Sequence, residues 1–148
     1  MNMKITLFCF ALFLAIGTGF AQKKGEAKSI ISDKVSIKKY HNKEELERLP
    51  KGELLTLYKE RIESLVKLLP YIAFATKPGV TMTTLGIPND SDNSKALDNQ
   101  FKATDAFLSS TSDFHGRILP YSDTNKLVSA ILFYEETMKS LHQYSQFN

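Results

Sequence analysis

The sequence predicts an all-α fold, and three observations support that prediction. Apolar residues recur at spacings of three and four over three stretches of roughly 20 residues, which is the period of amphipathic helices. Segments rich in proline, glycine, asparagine and aspartate separate these stretches. Apolar and polar residues alternate only briefly, at Val35 and Ile37. We expect an antiparallel bundle of three long helices plus one short N-terminal helix, with an ordered 14-residue loop between the first two long helices.

The short N-terminal helix has its own start and stop signals. Asn42 stands three residues before Glu45, the spacing of a capping box, in which each side chain binds the other residue's backbone amide. Leu46 and Leu49 supply the apolar side of this helix, and Pro50 is expected to end it.

The first long helix is expected from residue 52 to residue 76. Pro70 interrupts it, because proline lacks an amide donor and crowds the carbonyl of Val66. We therefore expect the helix to kink or restart near Leu69. Its apolar stripe consists of Leu55, Tyr58, Ile62, Leu65, Val66, Leu69 and Ala73.

The loop at residues 79–92 is too long and too apolar for a simple connection between helices. Thr81 can cap a single helical turn that Gly86 closes, and Pro88 blocks any continuation. We expect four apolar side chains of this loop to pack on the bundle. They are Val80, Met82, Leu85 and Ile87.

The other two long helices are expected at residues 94–115 and 123–144. Gly116 is placed to end the second helix as the residue just beyond its C-terminal cap, and Ser122 or Asp123 can cap the third. Phe133 falls on the side of the third helix opposite its apolar stripe. The two stripes are Leu97, Phe101, Thr104, Leu108, Thr111 and His115, and then Leu127, Ile131, Tyr134, Met138, Leu141 and His142.

Residues 1–21 have the pattern of a secretory signal peptide. Lys4 precedes an apolar run from residue 5 to residue 16, and small residues stand at Gly19 and Ala21 before the expected cleavage site. The end of this segment resembles that of bacterial signal peptides, which implies a periplasmic or secreted protein that begins at Gln22. The apolar run is too short to be a transmembrane segment, and the single cysteine, Cys9, lies inside it. We therefore expect no transmembrane segment and no disulfide.

The rest of the chain divides into a basic leader at residues 22–41 and a helical domain at residues 42–148. Residues 22–43 carry seven lysines and two acidic residues, whereas residues 44–148 carry eleven basic and fourteen acidic residues. The leader is expected to be loosely ordered and to contact anionic surfaces weakly at most. Its lysines are not interleaved with aromatic residues, so we do not expect nucleic acid binding.

No residues stand in the spacing of a known catalytic, phosphate-binding or haem-binding motif, so we expect no enzyme activity and no cofactor. The adjacent pair Glu135 and Glu136 is interpreted as solvated, because neighbouring carboxylates on a helix do not face one point. His142, Asp90 and Asp92 are weak candidates for a metal site, since the topology brings the end of the third helix toward the loop.

Five residues are candidates for contact with a partner, on the ground that they are apolar and stand outside the stripes or near the loop and the Pro70 kink. They are Phe133, Tyr144, Met82, Leu85 and Tyr71. The function expected from the sequence is that of an exported, non-catalytic binding or adaptor protein of the bacterial cell envelope, which contacts another envelope protein or a copy of itself. The alternative is a helical bundle that binds a small ligand or a metal ion between the kinked helix and the 79–92 loop.

Overall fold

The computed structural model describes residues 27–32, 35 and 37–144, and the described chain is all-α, as predicted. The signal peptide and the first five residues of the leader lie outside the described residues. The helices are α1 (Lys43–Glu47), α2 (Lys51–Leu68), α3 (Ser91–Ile118) and α4 (Thr124–Tyr144), and three single 3-10 turns occur at Leu69–Tyr71, Thr83–Leu85 and Leu119–Tyr121.

Helix α1 begins with the capping box that the sequence predicts. The side chain of Asn42 accepts a hydrogen bond from the Glu45 amide at 2.8 Å, and Glu45 accepts one from the Asn42 amide at 3.0 Å. These bonds satisfy donors that no helical carbonyl can reach, so a helix of only one turn is fixed at its start.

Helix α2 is shorter than predicted, because the chain restarts near Leu69, one of the two effects expected of Pro70, only as a single 3-10 turn. The α-helix stops at Leu68, and Pro70 stands at the start of the 3-10 turn Leu69–Tyr71. The expected continuation to Thr76 is therefore wrong. Proline, whose ring replaces the amide hydrogen, is tolerated in the first turn of a new helical segment but not inside a continuous helix.

Helix α3 is longer than predicted at both ends. Asp90 caps it by accepting a hydrogen bond from the Asn93 amide at 2.8 Å, so the helix starts at Ser91. At the other end the helix passes through Gly116, which lies inside it. The predicted role of Gly116 as a terminal residue is wrong, because the helix ends only where Pro120 begins the next 3-10 turn.

The loop between α2 and α3 contains the predicted single turn. The hydroxyl of Thr81 accepts a hydrogen bond from the Thr84 amide at 3.2 Å, and Gly86 closes the turn with a left-handed φ of 72°. Glycine adopts this conformation without the steric cost of a side chain. Of the four apolar side chains expected to pack, Leu85 remains exposed and the other three are half-buried.

Helix α2 lies between the other two long helices. It runs antiparallel to α3, since Tyr58 contacts His115 and Tyr71 contacts Phe101. It makes its most extensive contacts with α4, whereas α3 and α4 scarcely meet. Helix α2 therefore separates the two outer helices.

The core has two parts, and the leader contributes to one of them. Ile30 and Ile31 are buried against Leu68 and Met138 at the C-terminal end of α2, although the sequence pattern assigned them no place in the core. An isolated antiparallel bridge between Ser29 and Thr81 joins this segment to the loop. The second part of the core surrounds the start of α2. It consists of Leu46, Leu54, Leu119, Leu127, Val128 and Ile131.

Candidate functional site

A row of five aromatic rings runs from α3 across α2 to α4. Consecutive ring centroids lie 5.4 to 5.8 Å apart, and the interplanar angles of 52° to 73° are typical of tilted and edge-to-face contacts. We call this row the aromatic belt. In order, it consists of Phe114 and His115 on α3, Tyr58 on α2, and Tyr134 and Phe133 on α4.

The two ends of the aromatic belt are exposed and its middle is not. The side chains of Phe114 and Phe133 are 59% and 66% exposed, whereas Tyr58, His115 and Tyr134 are half-buried. The described residues of the leader leave Phe133 exposed. The belt is therefore anchored on the core and presents an exposed apolar ring at each end.

The centre of the aromatic belt is uncharged at neutral pH. Burial lowers the pKa of His115, and the nearby ammonium group of Lys59 lowers it further, so the imidazole is neutral. Burial and the neighbouring Tyr58 hydroxyl raise the pKa of Tyr134 to about 12. An uncharged, half-desolvated centre is suited to contact with an apolar surface.

Exposed apolar residues continue the aromatic belt along α3. Phe107, Phe114 and Ile118 are spaced by seven and four residues, which puts them on one face of the helix, and each side chain is at least half exposed. A soluble domain exposes single apolar side chains routinely, but a row of large ones is uncommon.

The predicted contact residues differ in how exposed they are in the structure. Phe133 is exposed and belongs to the aromatic belt, and Leu85 is exposed on the loop. Met82 is half-buried beside a groove of about 250 Å³ next to Phe74. Tyr71 is 6% exposed and belongs to the core, so its ring is not available on the surface.

The remaining contact and metal candidates do not form a site. The backbone of Tyr144 ends α4, and its side chain is not among those described. The described residues contain no group of three His, Cys, Asp or Glu side chains that could hold a metal ion, so His142, Asp90 and Asp92 do not converge into one. Asp90 instead caps α3.

A buried ion pair was not predicted from the sequence. Glu135, which the sequence suggests is solvated, is completely buried, and Arg61 is only 3% exposed. The Arg61 guanidinium donates to one Glu135 oxygen through Nε at 2.9 Å and Nη2 at 2.7 Å. The His41 amide donates to the other oxygen, and Arg61 also donates to the Lys39 carbonyl at 2.8 Å. This cluster fastens the leader to α2 and α4.

A cavity of about 880 Å³ lies beside the C-terminal end of α2, on the side of the loop. Its base contains Tyr71 and Thr104, which are 6% and 8% exposed, and the ring of Phe101, whose centroid is 6.0 Å from that of Tyr71. The buried Tyr71 hydroxyl has Thr104 as a neighbour but makes no hydrogen bond of normal geometry.

The comparisons with known proteins identify no relative. No family model, no curated protein and no solved structure matches this chain. No helix in the described part of the chain has the length and apolar character needed to cross a bilayer.

Proposed function

We propose that this chain is an exported, non-catalytic adaptor protein of the bacterial cell envelope that binds another protein through the aromatic belt. The observation that supports the proposal most is the exposure of Phe114 and Phe133 at the two ends of one continuous row of rings. Large aromatic side chains that stand on a packed base are the groups that contribute most to protein–protein contacts.

The partner is expected to present the apolar face of a helix. The aromatic belt runs across three helices and its outer rings are exposed at its two ends, so a helix that lies along the belt would contact both. The neutral state of His115 and Tyr134 favours an uncharged contact surface. Phe107 and Ile118 extend the apolar area along α3.

Site-specific photocrosslinking in the producing cell tests this contact. A benzophenone side chain introduced in place of Phe114 should give one discrete protein adduct, because that position lies in the proposed interface. The control position is Lys102, which is also exposed on α3 and lies outside the row of exposed apolar residues. Phe133→Ala should reduce the adduct at position 114 at least fivefold.

Two results would overturn the proposed contact. One is the absence of an adduct at position 114, and the other is an equal yield at Lys102. The mass of the adduct states whether the partner is a second copy of this chain or a different protein.

Export is tested separately by the mass of the protein recovered from the host. If residues 1–21 are a signal peptide, the chain should begin at Gln22, with loss of ammonia where that glutamine has cyclised. Recovery of the chain with residues 1–21 intact from the cytosolic fraction would contradict export without affecting the proposed contact.

A further inference from the structure

Helix α3 carries a second apolar side that the other described helices do not cover. Its first apolar side packs on α2, whereas α4 scarcely meets α3 in the described part of the chain. Between residues 105 and 118 no residue is buried, and only Leu108, Thr111 and His115 are half-buried. A helix that is apolar over so wide an arc suits two neighbours, and the described fold supplies one. The exposed side chains of the second side are Phe107, Phe114 and Ile118.

We propose that this side of α3 pairs with the same side of α3 in a second copy of the chain. The inference rests on the proposed function and names its partner, because Phe114 belongs both to the aromatic belt and to this side of α3. The partner of the belt is expected to present the apolar face of a helix, and α3 is such a helix. A two-fold symmetric pair uses the same surface of each copy, so one chain supplies both halves of the contact.

The spacing of the apolar residues fits the pairing of two helices. Thr111 stands between Phe107 and Phe114, and from residue 107 to residue 118 these four positions are separated by four, three and four residues. That alternation is the one that coiled coils use at their contact positions. An antiparallel register that places Phe107 opposite Ile118 of the second copy also places Thr111 opposite Phe114. Each ring then faces a smaller side chain, so the two rows can interdigitate.

The charges on α3 favour an antiparallel pair of copies. Residues 106–112 contain no charged side chain, so the centre of the contact is uncharged. Arg117 is the one charged residue at the positions that directly flank the row, because His115 is neutral. A parallel pair would bring Arg117 beside its own counterpart. In the antiparallel register Arg117 lies level with the uncharged stretch of the second copy, so this repulsion is absent.

The apolar area on this side of α3 matches the need of a dimer. Tyr121 is 88% exposed and lies one 3-10 turn beyond Ile118, which places it above that residue. Since an aromatic side chain presents about 200 Å², the exposed parts of Phe107, Phe114, Ile118 and Tyr121 amount to about 500 Å². A standard interface buries about 800 Å² of each partner, of which about 60% is apolar. These four side chains therefore supply the apolar part of one such interface.

Sedimentation velocity of the protein purified from its host, over a series of concentrations, tests self-association. We expect a monomer–dimer equilibrium. Ile118→Lys should raise the dissociation constant of the dimer at least tenfold, because it places a charge opposite an apolar ring. Ser109→Lys is the matched control, since residue 109 is exposed on the far side of α3 and should leave the constant unchanged. A monomer at every concentration, or a dimer that Ile118→Lys does not weaken, would overturn the inference.

Cysteine crosslinking tests the position of the two-fold axis without a charge in the contact. In the antiparallel register the two copies of residue 111 are offset by three residues, or about 4.5 Å along the helix axis. In a chain with Cys9→Ser, a short bismaleimide should therefore link Thr111→Cys into a covalent dimer. Ser109→Cys, on the far side of the helix, should remain monomeric. Equal yields of dimer at the two positions would overturn the proposed pairing.

Failure of this inference is distinguishable from failure of the proposed function. If the protein sediments as a monomer and the photocrosslinked adduct at position 114 contains a different protein, the second copy is wrong as the partner and the adaptor function is supported. If position 114 gives no adduct, the proposed contact itself is wrong.

Discussion

The guanidinium of Arg61 and the carboxylate of Glu135 form a buried ion pair that joins α2 to α4, with Nη2 of the arginine 2.7 Å from Oε1 of the glutamate. Both charges are removed from water, so the lost hydration of each must be replaced by the other charge and by the backbone groups around them. The His41 amide satisfies the second oxygen of Glu135, and the Lys39 carbonyl accepts from Arg61. The pair therefore also fixes the end of the leader.

Removal of one partner of this pair is expected to destabilise the fold strongly. Glu135→Ala leaves the Arg61 charge buried without its counter-ion, and we expect a loss of about 3–5 kcal/mol in the free energy of unfolding. Glu136→Ala is the control at the next position, where an exposed carboxylate pairs only with Lys139, and it should cost less than about 0.5 kcal/mol. Urea unfolding measures both. Equal costs would contradict the burial of Glu135.

The capping box of α1 predicts a stability change with a defined pH dependence. Asn42→Ala should cost about 1 kcal/mol at neutral pH, because the Glu45 amide loses its acceptor. The bond to the Asn42 amide, together with Lys39, lowers the pKa of Glu45 below 4.5. The contribution of the Glu45 charge is therefore present above that value and is lost as the pH falls through the folded pKa. The melting temperatures of the wild type and Glu45→Gln should converge as the pH is lowered from 7 to 3. A difference that stays constant over this range would contradict a stabilising role of the Glu45 charge.

His115 should make the fold less stable in acid. Its pKa in the folded state lies below the ordinary value of 6.5 because of burial and Lys59. The unfolded chain then binds the proton first, so the stability present above pH 6.5 is lost as the pH falls through the folded pKa. His115→Gln removes this loss. As the pH is lowered from 7 to 5, the melting temperature of this variant should therefore rise relative to that of the wild type. A wild-type pH dependence of the melting temperature in His115→Gln would contradict the mechanism.

Two glycine substitutions should change stability in opposite directions. Gly116→Ala should stabilise the protein by about 0.5–1 kcal/mol, because residue 116 is helical and a methyl group there meets only Nζ of Lys59, at 3.8 Å. Gly86→Ala should destabilise it by about 1–2 kcal/mol, since its φ of +72° is unfavourable for a side chain. Urea unfolding distinguishes the two. A destabilising Gly116→Ala would mean that α3 ends near His115, as its sequence suggested.

The sequence predicted best the features that are decided locally. The Asn42 capping box and the turn that Gly86 closes depend on residues within six positions of each other, and both are confirmed. The ends of α2 and α3 were predicted less accurately, because two stop signals compete near each of them, Pro70 and Pro78 for α2 and Gly116 and Pro120 for α3. The all-α class followed from three long periodic stretches and is confirmed.

The sequence did not predict the features that depend on contacts between distant segments. Arg61 and Glu135 each stand beside a member of an apolar stripe, Arg61 next to Ile62 and Glu135 next to Tyr134. Opposite charges at the edges of two core-facing stripes were the available signal for a buried pair. The burial of Ile30 and Ile31 had no such signal, since their surroundings are supplied by three other segments.

The central claim is that the outer rings of the aromatic belt serve contact with a partner and not the packing of this chain. Urea unfolding of Phe114→Ala and Phe133→Ala tests it most directly. We predict that each change lowers the free energy of unfolding by no more than about 1 kcal/mol, as for exposed side chains with few contacts. A loss of about 3–5 kcal/mol, the cost of removing a phenylalanine from a core, would contradict the claim.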